Sequence, residues 1–188
     1  DDRFKSAALS SLANIYQGCC KLVITSDVDE ILIPFKSENN LKDTLLSLNE
    51  DFSAPIGVEF VHNRLNEPEY DSNIDCLNQR STFFFTSGYS KPVIWKKDAF
   101  FSPGLHGINK EYSFTDQLAL VHLRSIDYNY TMQRQLSRNS AVLSNEQVNN
   151  KTGLHWQRDI NDKSWFGYFI FEKALSASSN ISFEHEYN

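Results

Sequence analysis

Hydrophobic positions along the chain switch repeatedly between helical spacing and short unbroken runs. From Phe4 to Gln17, the residues Leu9, Leu12, Ile15 and Tyr16 recur at the spacing of one helical face, acidic residues open the segment and Gly18 closes it, which predicts a helix. Leu22-Val23-Ile24-Thr25 is a β-branched apolar run of the kind that forms a strand buried on both faces. It delivers Ser26-Asp27-Val28-Asp29-Glu30 at its carboxyl end. Leu41, Leu45 and Leu48 mark a second helix within Asn39 to Leu48, and Ala54-Pro55 introduces a second strand, Ile56 to His62.

Asn66 to Asn78 is polar, broken by Pro68, and reads as a loop. Ser81 to Thr86 and Pro92 to Lys96 flank Ser87-Gly88-Tyr89-Ser90, which predicts a hairpin. A Gly-bearing loop at Pro103-Gly104 and His106-Gly107 precedes a strand at Leu118 to Leu123. Tyr128, Met132, Gln135 and Leu136 then share one face of a helix. Residues 139–153 form a polar connector, and Trp156 to Leu175 reads as a closing helix. Helices alternating with strands predict an α/β domain with a largely parallel sheet, residues 1–188 forming a single unit.

Composition narrows the partners. Of 188 residues, 40% are hydrophobic and 22% charged, enough apolar surface to support a core, and the net charge of -6 with scattered Lys and Arg gives no footprint for nucleic acid. No apolar run approaches the roughly 20 residues that span a bilayer, and the first residues lack a signal-peptide core. Cys19, Cys20 and Cys76 have no metal-binding spacing and read as reduced structural thiols, so a cytoplasmic protein is expected, peripheral at most to the inner face of a membrane. Asn129, Asn150 and Asn180 match the glycosylation triplet, a pattern too frequent by chance to carry weight.

The chemistry concentrates at Asp27 and Asp29. Two carboxylates at alternate positions, where a strand gives way to a loop, can converge on one hard cation and leave positions open for phosphate oxygens. Such a cation neutralises charge on a departing diphosphate. The apolar strand before the pair and Ile31-Leu32-Ile33-Pro34 after it tether the acidic step to the core.

Ser26-Asp27-Val28-Asp29-Glu30-Ile31-Leu32 resembles the Asp-x-Asp-Glu signature of family-2-like glycosyltransferases. Further matches follow in order: Gln79-Arg80-Ser81, Tyr89 to Ile94, Ser102 to Gly107, and Leu118 to Arg124 with Asp127-Tyr128. The resemblance implies a GT-A-like, Rossmann-like mixed sheet flanked by helices, with the donor across the carboxyl ends of its strands. It also implies Mn²⁺ or Mg²⁺ on Asp27 and Asp29, with His106 or His122 as a further ligand. Lys91, Arg80 and Arg124 would pair with the donor phosphates. Asp116 would serve as the base, ahead of Glu59 and Glu111. The expected partners are a nucleotide-sugar donor and a glycan or other hydroxyl acceptor. Only a helix and a strand precede Asp27, so the chain is expected to be the C-terminal part of a GT-A domain, self-associating through the sheet edge that a missing segment would cover.

Two other classes share these residues. Leu22 to Asp29 also resembles the first motif of haloacid-dehalogenase-type phosphatases, with Phe83 to Thr86 and Lys91 imitating later motifs, although no late strand ends in a paired acidic step. A carbohydrate-binding module would instead stack sugars on Trp95, Trp156 or Trp165.

Overall fold

The computed structural model describes residues 2–36, 38–140, 143, 145–149 and 166–176. They divide into two units, 2–58 with 85–122 and 59–84 with 123–176. Asn150, Asn180, Trp156, Trp165 and residues 141, 142, 144 and 150–153 of the connector lie outside the described residues.

In the first unit α1 (Asp2–Gln17) ends as predicted, the N–H groups of Gly18, Cys19 and Cys20 returning to the carbonyls of Ile15 and Tyr16. Its buried face carries Ser6, Ser10 and Ala13. Ser10 Oγ donates to Ser6 O at 2.7 Å and accepts the N–H of Phe101 at 2.9 Å, which satisfies a hydroxyl that burial would otherwise penalise. α2 (Leu41–Ser47) is capped by Asn40, whose side chain accepts the N–H of Lys42 at 2.9 Å.

The strands are β1 (Val23–Ile24), β2 (Glu30–Pro34), β3 (Phe52–Val61), β4 (Phe83–Phe85), β5 (Ile94–Trp95) and β6 (Ser113–Ser125). They form a mixed sheet in the order β1-β5-β3-β6-β2, with β4 paired to β3. The pairings β1–β5, β3–β5 and β2–β6 are antiparallel, so the largely parallel sheet expected from the helix–strand alternation does not form. β1 is an end strand with Ile24 39% exposed, not the doubly buried strand its composition predicts. The predicted hairpin is absent too, because β4 pairs with β3 while β5 pairs with β1 and β3. β3 begins before Pro55 rather than after it. Pro55 lacks an N–H to donate, and it falls between the register with β5 at Phe52 and Ser53 and the bond from Thr86 N–H to Gly57 O.

Trp95 is fully buried, its ring 4.5 Å from that of Phe101 and edge-on to Phe52, with Ala13 and Leu105 completing the cluster. It is core, which removes it from any sugar-stacking role. Leu45 and Leu48 pack on Val93, Ile94, Leu118 and Leu120 in a second cluster. Cys19 and Cys20 are free thiols at the surface, Cys19 Sγ lying 3.4 Å from Tyr16 O and 3.9 Å from Cys20 Sγ, so they are reduced as expected but exposed where a structural role implied burial.

In the second unit α3 (Tyr128–Asn139) starts at Asp127, whose carboxylate accepts the N–H of Tyr130 at 2.6 Å. Its buried positions are Thr131 and Gln135, whereas Leu136 of the predicted apolar face is 52% exposed. α4 (Asn145–Asn149) follows in sequence, and α5 (Phe166–Ser176) buries Ile170, Phe171 and Ala174 with Val61. His62 accepts the Tyr128 N–H on Nδ1 and donates Nε2–H to Glu67 O, both at 3.3 Å. No helix among the described residues is long and apolar enough to cross a membrane.

Candidate metal centre

Asp27 to Glu30 is a tight turn between β1 and β2. It closes reciprocally: Glu30 N–H donates to Asp27 O at 3.1 Å, and Asp27 N–H donates to Glu30 Oε2 at 2.9 Å. Val28 stands fully exposed at its apex, while the Glu30 side chain is buried. Each acidic residue therefore has a different surrounding.

Asp27 is held by cations of the protein itself. Lys91 Nζ lies 3.2 Å from one carboxylate oxygen and 2.7 Å from Glu30 Oε1, and Lys5 of α1 reaches the other Asp27 oxygen. Burial pushes the Asp27 carboxyl up, but the hydrogen bonds and charges of Lys5 and Lys91 outweigh it, and the group is held below its ordinary value. A shallow opening adjoins Asp27, bounded by Leu9, Thr25, Ser26, Lys91, Phe101 and Leu105.

Asp29 faces a different partner. In the β2–β6 register Glu30 stands opposite His122, and this brings Asp29 Oδ2 to 3.8 Å from His122 Nε2. The His122 ring is nearly buried and lies face to face with Tyr89, centroids 3.9 Å apart and planes 25° off parallel.

The remaining sequence candidates divide. His106 is exposed on its loop, with Nδ1 3.1 Å from Gly88 O. The loop turns through positive φ at Gly104 and Leu105. Asp116 is exposed on β6, and at ~3.3 Å per residue the strand carries it about 20 Å from His122, so it cannot be the base for chemistry there. Glu111 is exposed and Glu59 fully buried, with Oε1 accepting the Ser125 N–H at 3.1 Å.

Arg80 belongs to the second unit and its side chain is fully buried. Its Nε donates to Ile126 O at 2.6 Å and its Nη1 to Pro68 O and Gln79 O, with Glu67 at 3.9 Å. It braces a loop instead of presenting a fork to phosphate. Burial lowers the guanidinium's affinity for its proton, and the charges of Glu67, Asp127 and Tyr70 oppose that shift. Arg124, also of the second unit, is half-buried. Lys91 has carboxylates as its partners, which is a correction to its expected role at a phosphate.

Sequence reasoning picked out Glu30 and Tyr89 only as members of matched motifs, without a role in this site, and missed Lys5 and Gly57. Gly57 carried a readable signal, since a lone glycine within a strand pattern marks a close backbone approach. Lys5 carried none. Among the described residues no group of three His, Cys, Asp or Glu side chains converges closely enough to hold a metal alone. Asp29 and His122 nevertheless fit a shared cation, because ligands each about 2.0–2.6 Å from one ion stand no more than about 5 Å apart. Compared with protein-family models, curated proteins and solved structures, the chain finds no match in any of the three.

Proposed function

We propose that the chain transfers a sugar from a nucleoside-diphosphate donor to a hydroxyl acceptor, with a divalent cation held by Asp29 and His122. The observation that supports this is the meeting of Asp29 Oδ2 and His122 Nε2 at 3.8 Å beside an acidic turn. A carboxylate and an imidazole form a mixed donor set suited to Mn²⁺, with the remaining positions open to phosphate oxygens. When bound, the ion would stabilise charge on the departing diphosphate. Asp29 and His122 orient that charge. Asp27 joins them only if Lys5 or Lys91 releases it, and half-exposed Lys5 is the freer of the two.

Calorimetric titration with Mn²⁺ and a nucleoside diphosphate tests the reading. Asp29→Ala and His122→Ala should each weaken metal-dependent binding by at least roughly 10-fold while the circular dichroism spectrum is retained. Unchanged affinity in both would remove it.

The contact between Lys91 and Asp27 favours a second reading, because a phosphatase of the haloacid-dehalogenase type asks for a lysine against its nucleophilic aspartate. The end position and antiparallel pairing of β1 oppose it. Turnover of a phosphate monoester with Mg²⁺, lost in Asp27→Asn, would establish the phosphatase instead.

A further inference from the structure

The ring of His122 is held by a device that starts three strands away in sequence order. The turn Ser87–Tyr89 lies directly on β3 at Gly57. A Cβ at position 57 would stand 2.4 Å from Thr86 O and 2.6 Å from both Ser90 N and the Tyr89 carbonyl carbon, all backbone atoms that cannot swing aside. Both polar groups of Gly57 grip the turn: its carbonyl accepts the Thr86 N–H at 3.0 Å, and its N–H donates to Ser90 Oγ at 2.8 Å. Glycine is needed here for space, since its φ is not in the left-handed region.

Seating the turn this closely has consequences at its far end. It lays the Tyr89 ring over His122, and two residues later it sends Lys91 into the acidic turn. The lone pair of an imidazole nitrogen lies in the plane of the ring. A partner stacked on the face fixes that plane, and so limits where Nε2 can point. Nε2 here lies 3.8 Å from Asp29 Oδ2.

We infer that Tyr89 is a positioning residue for His122, and that Gly57 sets the distance at which it works. The inference rests on the metal reading for its purpose but not for its geometry. Tyr89 touches no reacting atom. It narrows the directions open to the imidazole and so lowers the ordering cost of binding a cation between His122 and Asp29.

The experiment has two independent readouts on the intact chain. In metal-free protein, the His122 ring protons should resonate upfield in the wild type, because they lie over an aromatic face, and move downfield in Tyr89→Leu. In Mn²⁺ titration, Tyr89→Leu should bind roughly 10-fold more weakly, and Tyr89→Phe, which keeps the ring, should restore the lost affinity. Gly57→Ala should shift the same proton signals by lifting the turn. If that variant does not fold, the Tyr89 pair still decides. His122 signals identical in the wild type and Tyr89→Leu would overturn the positioning role. Wild-type protein that binds no Mn²⁺ but shows the His122 shift would leave the positioning role standing and remove the metal reading.

Discussion

The Lys91 ammonium lies 2.7 Å from Glu30 Oε1, with both side chains withdrawn from solvent. A lysine so placed is tied to its carboxylates, since removing either partner strands a buried charge. Lys91→Met should therefore cost ~3–5 kcal/mol, and pairing it with Glu30→Gln should recover a large part of the loss. Urea unfolding of the two variants measures both. Equal stability of Lys91→Met and the wild type would show that the pair is not buried in solution.

Lys5 sits on the opposite side of the same aspartate and is half exposed, so its contact with Asp27 belongs to the class of ion pairs worth at most ~1 kcal/mol. Lys5→Met should leave the unfolding midpoint nearly unchanged. It should also strengthen Mn²⁺ binding several-fold by freeing an Asp27 oxygen. Weaker Mn²⁺ binding in this variant would mean that Lys5 assists the site instead of competing for it.

The Asp27 carboxyl is held below its ordinary value of 3.8, which sets the sign of its pH dependence. A group with a depressed folded pKa contributes stability above its unfolded pKa and loses it as pH falls through the folded value. The stability difference between the wild type and Asp27→Asn should thus be full at neutral pH. It should shrink once the pH drops below about 4. A difference that grows on acidification would contradict the lysine pairing.

Arg80 makes the opposite case to a ligand-binding arginine. Its hydrogen bonds to Ile126, Pro68 and Gln79 should make Arg80→Met destabilising by about 3 kcal/mol or more, because buried carbonyls are left without donors. Pyrophosphate binding per folded molecule should not change. Titration at a concentration of folded protein fixed by circular dichroism checks this.

Local features were legible where chemistry near in sequence decides them. The helix stop at Gly18 was readable from its cap, the second helix from Leu41, Leu45 and Leu48, and the buried middle of β6 from the apolar run Leu118 to Leu123, although that strand extends from Ser113 to Ser125. Pairing was not. Val23 and Ile24 look like a central strand because β-branched composition reports a strand without reporting its neighbours. The same blindness produced the false hairpin, since Phe83–Phe85 and Ile94–Trp95 both find β3 by contacts distant in sequence. At the site, Asp27, Asp29 and His122 stood out by residue type. That Asp27 is neutralised by Lys5 and Lys91 depends on where α1 and the turn after β4 come to rest, which no local pattern encodes.

Leu105 holds φ at +64°, a conformation that costs a β-carbon-bearing residue about 1–2 kcal/mol, and it keeps that shape with its side chain buried beside Ala13 and Leu9 of α1. The strain at Leu105 is therefore offset by a contact with α1, and the two leucines nearest that contact, Leu9 and Leu105, also line the opening beside Asp27. Helix, strained loop and acidic turn thus share one wall, so a substitution at either leucine alters the fold's support and the surroundings of Asp27 together.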